Sequence, residues 1–99
     1  MGDSWNPDDT ITEVELVRQA KIGAVSQMTI EQQPSGYQVI VELKWHPRSV
    51  VLRTRRAETE PRLFKSLERL VDFIRTRFPT VRKLGITLLP TQVKKEVRK

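Results

Sequence analysis

The order of periodic segments along this chain predicts one small α+β domain, read as helix, three strands, helix, strand. Residues Tyr37 to Trp45 alternate apolar and polar side chains with a period of two. Between Leu63 and Phe78 the apolar side chains recur at helical spacing instead. Turn-forming clusters at Gln33 to Gly36 and His46 to Arg48 leave only short connections between extended runs. The expected architecture is an antiparallel three-stranded meander with an amphipathic helix packed on one face and a short extra C-terminal strand. It occupies residues 10–90, between a flexible arm at 1–9 and a flexible basic tail at 91–99.

Thr10 followed three residues later by Glu13 forms a capping-box pattern and predicts a first helix from Ile11 to Lys21, which Gly23 is placed to end. Ala24 to Gln32 then reads as a strand with Ala24, Met28 and Ile30 on one face. The turn at Gln33-Pro34-Ser35-Gly36 leads into the clearest strand, whose inner face is Tyr37, Val39, Val41, Leu43 and Trp45. After the turn at His46 to Arg48, Ser49 to Arg56 forms the third strand, with Val50, Leu52 and Thr54 on one side and Val51, Arg53 and Arg55 on the other. Thr59 or Glu60 caps the second helix, with Pro61 in its first turn and Leu63, Leu67, Leu70, Ile74 and Phe78 as its buried stripe. Pro79 stops that helix. Lys83 to Leu89 is the last strand, with Leu84, Ile86 and Leu88 facing inward and Pro90 ending it.

With 99 residues the chain holds a single core. Its apolar runs fall far short of the roughly 20 residues a membrane helix needs, and the first ten residues lack the basic and apolar regions of a signal peptide. A cytoplasmic location and no membrane partner are therefore expected. The absence of cysteine excludes disulfides, thiolate metal sites and thiol nucleophiles. The one histidine, His46, is expected exposed in a turn, too isolated to bind metal. No glycine-rich phosphate loop is present, and Asp8 and Asp9 fall in the arm, where nothing would hold catalytic geometry. No enzyme activity, cofactor or metal is expected.

Charge is the feature that points toward a partner. Eighteen Lys and Arg against twelve Asp and Glu give a net +6, and the stretch from Lys44 to Arg56 holds five basic residues without an acid. Strand alternation places Lys44, Arg53 and Arg55 on the exposed sheet face, with Arg48 and Arg56 beside them. Arginine forks match phosphate oxygens and guanine edges, and sheet faces are known DNA readers. Arg62, Lys65 and Arg69 are expected on successive turns of one helix face, extending the patch. A solvated surface relieved by Glu31 and Glu42 accounts for the same residues without a ligand. Trp45 is expected in the core, and Trp5 is expected to pack back onto the domain or to anchor a partner.

Two stretches, Gln19-Ala20-Lys21-Ile22-Gly23-Ala24-Val25 and Val51-Leu52-Arg53-Thr54-Arg55-Arg56 with Pro61-Arg62-Leu63-Phe64-Lys65-Ser66-Leu67 after it, resemble the small ParC-type partition-associated proteins of plasmids and integrated elements. The resemblance covers about residues 16 to 88, on short motifs. It implies a bacterial accessory of DNA maintenance or transfer acting beside partition proteins. The helix and strand order also matches that of the double-stranded RNA-binding domain, although Pro61-Arg62-Leu63-Phe64-Lys65 replaces the lysine cluster usual there.

The expected function is thus a noncatalytic DNA-binding or nucleoprotein accessory contacting nucleic acid, DNA in preference to RNA, through Lys44, Arg48, Arg53, Arg55, Arg56, Arg62, Lys65 and Arg69. Other partition or transfer proteins are the further expected partners. The alternatives are a protein-interaction module that docks on a larger partner through the edge strand near Ile86 or the arm around Trp5, and a double-stranded RNA-binding-like domain.

Overall fold

In a computed structural model, residues 7–54 and 60–90 are described. After a 3-10 turn at Pro7–Asp9, the elements are β1 (Thr10–Ile11), α1 (Glu13–Lys21), β2 (Val25–Gln33), β3 (Gly36–Leu43), β4 (Val50–Leu52), α2 (Leu67–Arg77) and β5 (Gly85–Thr87). They build an α+β domain on one mixed sheet of order β1-β4-β3-β2-β5. The central β2, β3 and β4 form the expected antiparallel meander, while β1 and β5 join its two edges in parallel.

Alternation explains why one sheet face is buried. Met28, Ile30, Val39, Val41, Leu43, Val50 and Leu52 all point to one side and are at most 5% exposed. Leu16 from α1 and Leu70, Ile74 and Phe78 from α2 and its cap close over them in a single cluster, so both helices cover the same face. Each of these fully buried side chains contributes about 2 kcal/mol of transfer free energy before entropy is subtracted. The opposite face carries the other parity. One row crosses all five strands there, through Thr10, Val51, Ile40, Thr29 and Gly85.

Helix ends follow local chemistry closely. Thr12 caps α1 by accepting a hydrogen bond from the Glu15 amide at 3.3 Å, so the Thr-x-x-Glu pattern operates two residues later than predicted. The expected helical start at Ile11 is displaced because Thr10 and Ile11 pair in parallel with Val51 and Leu52 and bury Ile11. At the other end Gly23, with φ of +74°, and Ala24 donate to the Ala20 and Gln19 carbonyls at 3.1 and 2.9 Å, the double bond of a Schellman stop.

Several expectations are corrected. The second helix begins at Leu67, capped by Ser66, rather than near Pro61. The preceding segment is extended and spends its backbone groups on bridges from Phe64 to Tyr37 and from Pro61 to Arg53. Leu63 accordingly lies ahead of the helix and is 39% exposed instead of heading its stripe, and Arg62 and Lys65 are not on helix turns. The third strand is only three residues long. Ile86 and Leu88, predicted to face inward, are exposed at the sheet edge, as is Val14 on α1.

Trp45 also departs from expectation. It leaves the strand at a turn, is 63% exposed, and donates its indole N–H to Gln19 Oε1 at 2.9 Å. His46 exchanges places with it: its side chain is only 16% exposed, stacks on the Trp45 ring at 5.6 Å, and stands 3.3 Å from Asp9 Oδ1. Asp9 therefore belongs to the ordered body rather than to a loose arm. Trp5, Arg55, Arg56, the Thr59 cap and the C-terminal basic residues fall outside the described residues. Among the described residues, no helix is long and apolar enough to cross a membrane.

Candidate nucleic-acid interface

A cationic sheet platform requires the guanidinium groups to converge outward, and three of them are engaged within the domain. Arg62 donates to Glu13 Oε1 at 2.7 Å, and its guanidinium carbon sits 4.9 and 4.8 Å from the ring centres of Phe64 and Phe73. Arg77 pairs with the other oxygen of the same carboxylate. Burial opposes ionisation of Glu13, but the hydrogen bonds and charges of Arg62 and Arg77 outweigh it and hold the carboxyl below its ordinary value. Arg62 thus serves to fasten α1 to the α2 leader.

Arg53 lies half-buried, donating through Nε to Thr10 Oγ1 at 3.0 Å and through a terminal nitrogen to the Thr54 carbonyl at 3.3 Å. Arg48 remains 62% exposed but shares its Nε–H between both oxygens of Asp9, at 3.1 and 3.0 Å, which raises its pKa further. The open sheet face itself is not cationic. Its central row is uncharged, and the flanking rows carry Glu31, which accepts from Gln33 and Gln38, and the exposed Glu42.

Among the described residues, Lys44, Lys65 and Arg69 are the predicted site residues that stand exposed with no carboxylate partner. They do not lie together. Lys65 and the Ser66 cap that precedes Arg69 adjoin the β2–β3 turn, where Lys65 lines a shallow depression with Gln32 to Tyr37. Lys44 lies at the opposite end of the sheet, its amide donating to the Ala24 carbonyl at 2.8 Å.

That second end gathers cations that residue spacing alone did not single out. The α1 stop, the start of β2 and the loop after α2 enclose an open cleft of about 500 Å³, lined by Lys21, Arg82 and Lys83 together with Ser26, Gln27 and Thr80. Among the described residues, no carboxylate lines it and none pairs with these three cations. Local structure dictates the placement. The Schellman stop reverses the chain immediately after Lys21, and Val81 donates to the Phe78 carbonyl at 2.9 Å, turning the loop so that Arg82 and Lys83 run back toward β2. The sequence signal available was the basic excess between Arg62 and Lys83, which does not reveal that Lys21 meets it in space. Comparison with family models, curated proteins and solved structures finds no significant match for this chain.

Proposed function

We propose that this chain is a noncatalytic DNA-binding or nucleoprotein accessory domain that engages phosphates through the sheet end bearing Lys21, Lys44, Arg82 and Lys83. The observation that carries the proposal is a cleft lined by three cations with, among the described residues, no carboxylate beside them, in a protein of net charge +6. Cations without internal partners keep their full counterion-release contribution on meeting a polyanion, whereas Arg62 and Arg48 would first have to leave their own carboxylates. The hydroxyls of Ser26 and Thr80 share the cleft with neither a histidine nor a carboxylate, which favours binding over catalysis. The ParC-type resemblance supports a role beside partition proteins of a bacterial plasmid or integrated element. Lys65 and Arg69 are a secondary contact for long duplexes.

A fluorescently labelled DNA duplex titrated at several salt concentrations tests the proposal. Three to five phosphate contacts give a log-log slope of about −3 to −4.5, and reversing Lys21, Arg82 and Lys83 together to Glu flattens it by about 3. The pair Lys65→Glu and Arg69→Glu has the smaller effect. Absence of binding at low salt, or a slope unchanged by the triple reversal, would sink the proposal. Competition by duplex RNA decides between the two nucleic acids.

A further inference from the structure

The geometry points to a second binding surface, which adjoins the cationic cleft at Arg82: the outer edge of β5, with the groove between α2 and the loop leading into that strand, receives an extended acidic peptide as a sixth strand. Three observations converge on it. First, β5 pairs with β2 on one side only and ends the sheet, so among the described residues its other backbone edge has no strand partner. Second, this edge is apolar where edges are ordinarily blunted by charge: Ile86, Leu88 and Leu89 are 51%, 66% and 42% exposed. Third, a groove of about 420 Å³ opens between α2 and the loop leading into β5, walled by Val71, Ile74, Pro79, Val81 and Leu84, and among the described residues its only charged lining residues are Arg75 and Arg82.

An unpaired edge beside a helix, with an apolar floor, is the physical requirement for strand addition. Main-chain hydrogen bonds hold the guest, and alternate side chains drop into the groove. Among the described residues Arg75 and Arg82 have no carboxylate partner, so the side chains they meet on the guest are acidic. Charge also discriminates among occupants. A second copy pairing antiparallel about Ile86 would bring Arg82 and Lys83 of each chain toward the other's end, where Lys94, Lys95, Arg98 and Lys99 follow Pro90. The chain's own C-terminal segment carries those same cations and meets the same repulsion.

A labelled eight-residue peptide, Val-Thr-Asp-Thr-Val-Thr-Asp-Thr, whose groove-facing side chains are Val and Asp in turn, is the probe, followed by anisotropy and by amide shifts of the isotope-labelled protein. Binding is expected with shifts at Gly85 to Leu89. It weakens about tenfold in Arg75→Glu and in Ile86→Glu, both exposed positions whose replacement leaves the core intact, and the same peptide with Lys in place of Asp does not bind. N-methylation of one alternate set of peptide amides abolishes binding while methylation of the other set is tolerated, because a strand presents only one edge to its host. Equal affinity of both methylated peptides, shifts confined to the cleft or the open sheet face, or concentration-dependent dimerisation that protects β5 would each overturn the proposal. Both variants retain Lys21, Arg82 and Lys83, so duplex DNA binding measured alongside separates failure here from failure of the phosphate-binding proposal.

Discussion

Replacing Gly36 by Ala tests how the sheet is tied to the leader of α2. Gly36 pairs with Gln33 across the Pro34–Ser35 turn with φ of +153°, and a Cβ built there would stand 2.6 Å from the Phe64 carbonyl oxygen. That oxygen is fixed, because it accepts from the Tyr37 amide at 2.8 Å while Phe64 donates to the Tyr37 carbonyl at the same distance. Alanine must therefore push the strand and the leader apart. Two hydrogen bonds lost at about 1 kcal/mol each, with about 1 kcal/mol for holding a side chain at that φ, give a cost of about 3 kcal/mol. Gly23 supplies the control. Its φ of +74° disfavours alanine, but nothing stands within 4 Å of the added carbon, so Gly23→Ala costs only the conformational share of about 1 kcal/mol. Urea unfolding followed by circular dichroism reads both, and in thermal unfolding the difference corresponds to roughly 8 to 16 °C for a chain of this size. If Gly36→Ala proves no more destabilising than Gly23→Ala, the close approach of Phe64 is not a structural constraint and the reasoning fails.

Other outcomes follow from the same contacts. Thr12→Ala should cost about 1 kcal/mol through loss of the α1 cap, whereas a larger loss of α1 protection in Thr10→Ala, measured by amide exchange, would restore the earlier helix start. Because Glu13 is held below its ordinary value, its stabilisation is complete above the unfolded-state value near 4.3 and fades as pH falls through the folded value. Glu13→Gln should therefore be less stable than the parent at neutral pH, by about 2 kcal/mol. The difference should hold constant above the unfolded-state value and narrow steadily in acid melts below it, and parallel curves would count against the pairing. Phe78→Ala should cost about 3 to 4 kcal/mol, since the ring is 1% exposed beneath α2; a change under 1 kcal/mol would place the ring outside the core.

The meander was legible because its signals are local. Val39, Val41 and Leu43 alternate strictly, and a proline, serine and glycine turn fixes their register against β2. The misplacements share a different cause: long-range pairing overrode local preference. Thr10 and Ile11 satisfy a helix-start pattern but are taken by the free edge of β4, and Pro61 to Phe64 fit the helical stripe but are recruited by backbone bridges to Arg53 and Tyr37. Trp45 keeps the alternation phase yet lies two residues beyond the last paired residue of β3, where parity no longer determines burial. The candidate interface was the least legible part. Which arginines are available depends on Asp9, Glu13 and Thr10, at separations of 39, 49 and 43 residues from Arg48, Arg62 and Arg53. No pattern of spacing announces such partners.

The two residues of β1 have an influence out of proportion to their length. By accepting the Arg53 amide on the Ile11 carbonyl at 2.9 Å, they occupy the margin of Val50-Val51-Leu52, an aliphatic, uncharged run that would otherwise offer its main chain to any neighbouring molecule. Trimming the protein before Thr12 would therefore harm solubility more than it harms stability. The shortened molecule would retain nearly all of its core, and its losses would emerge as precipitation that grows with concentration.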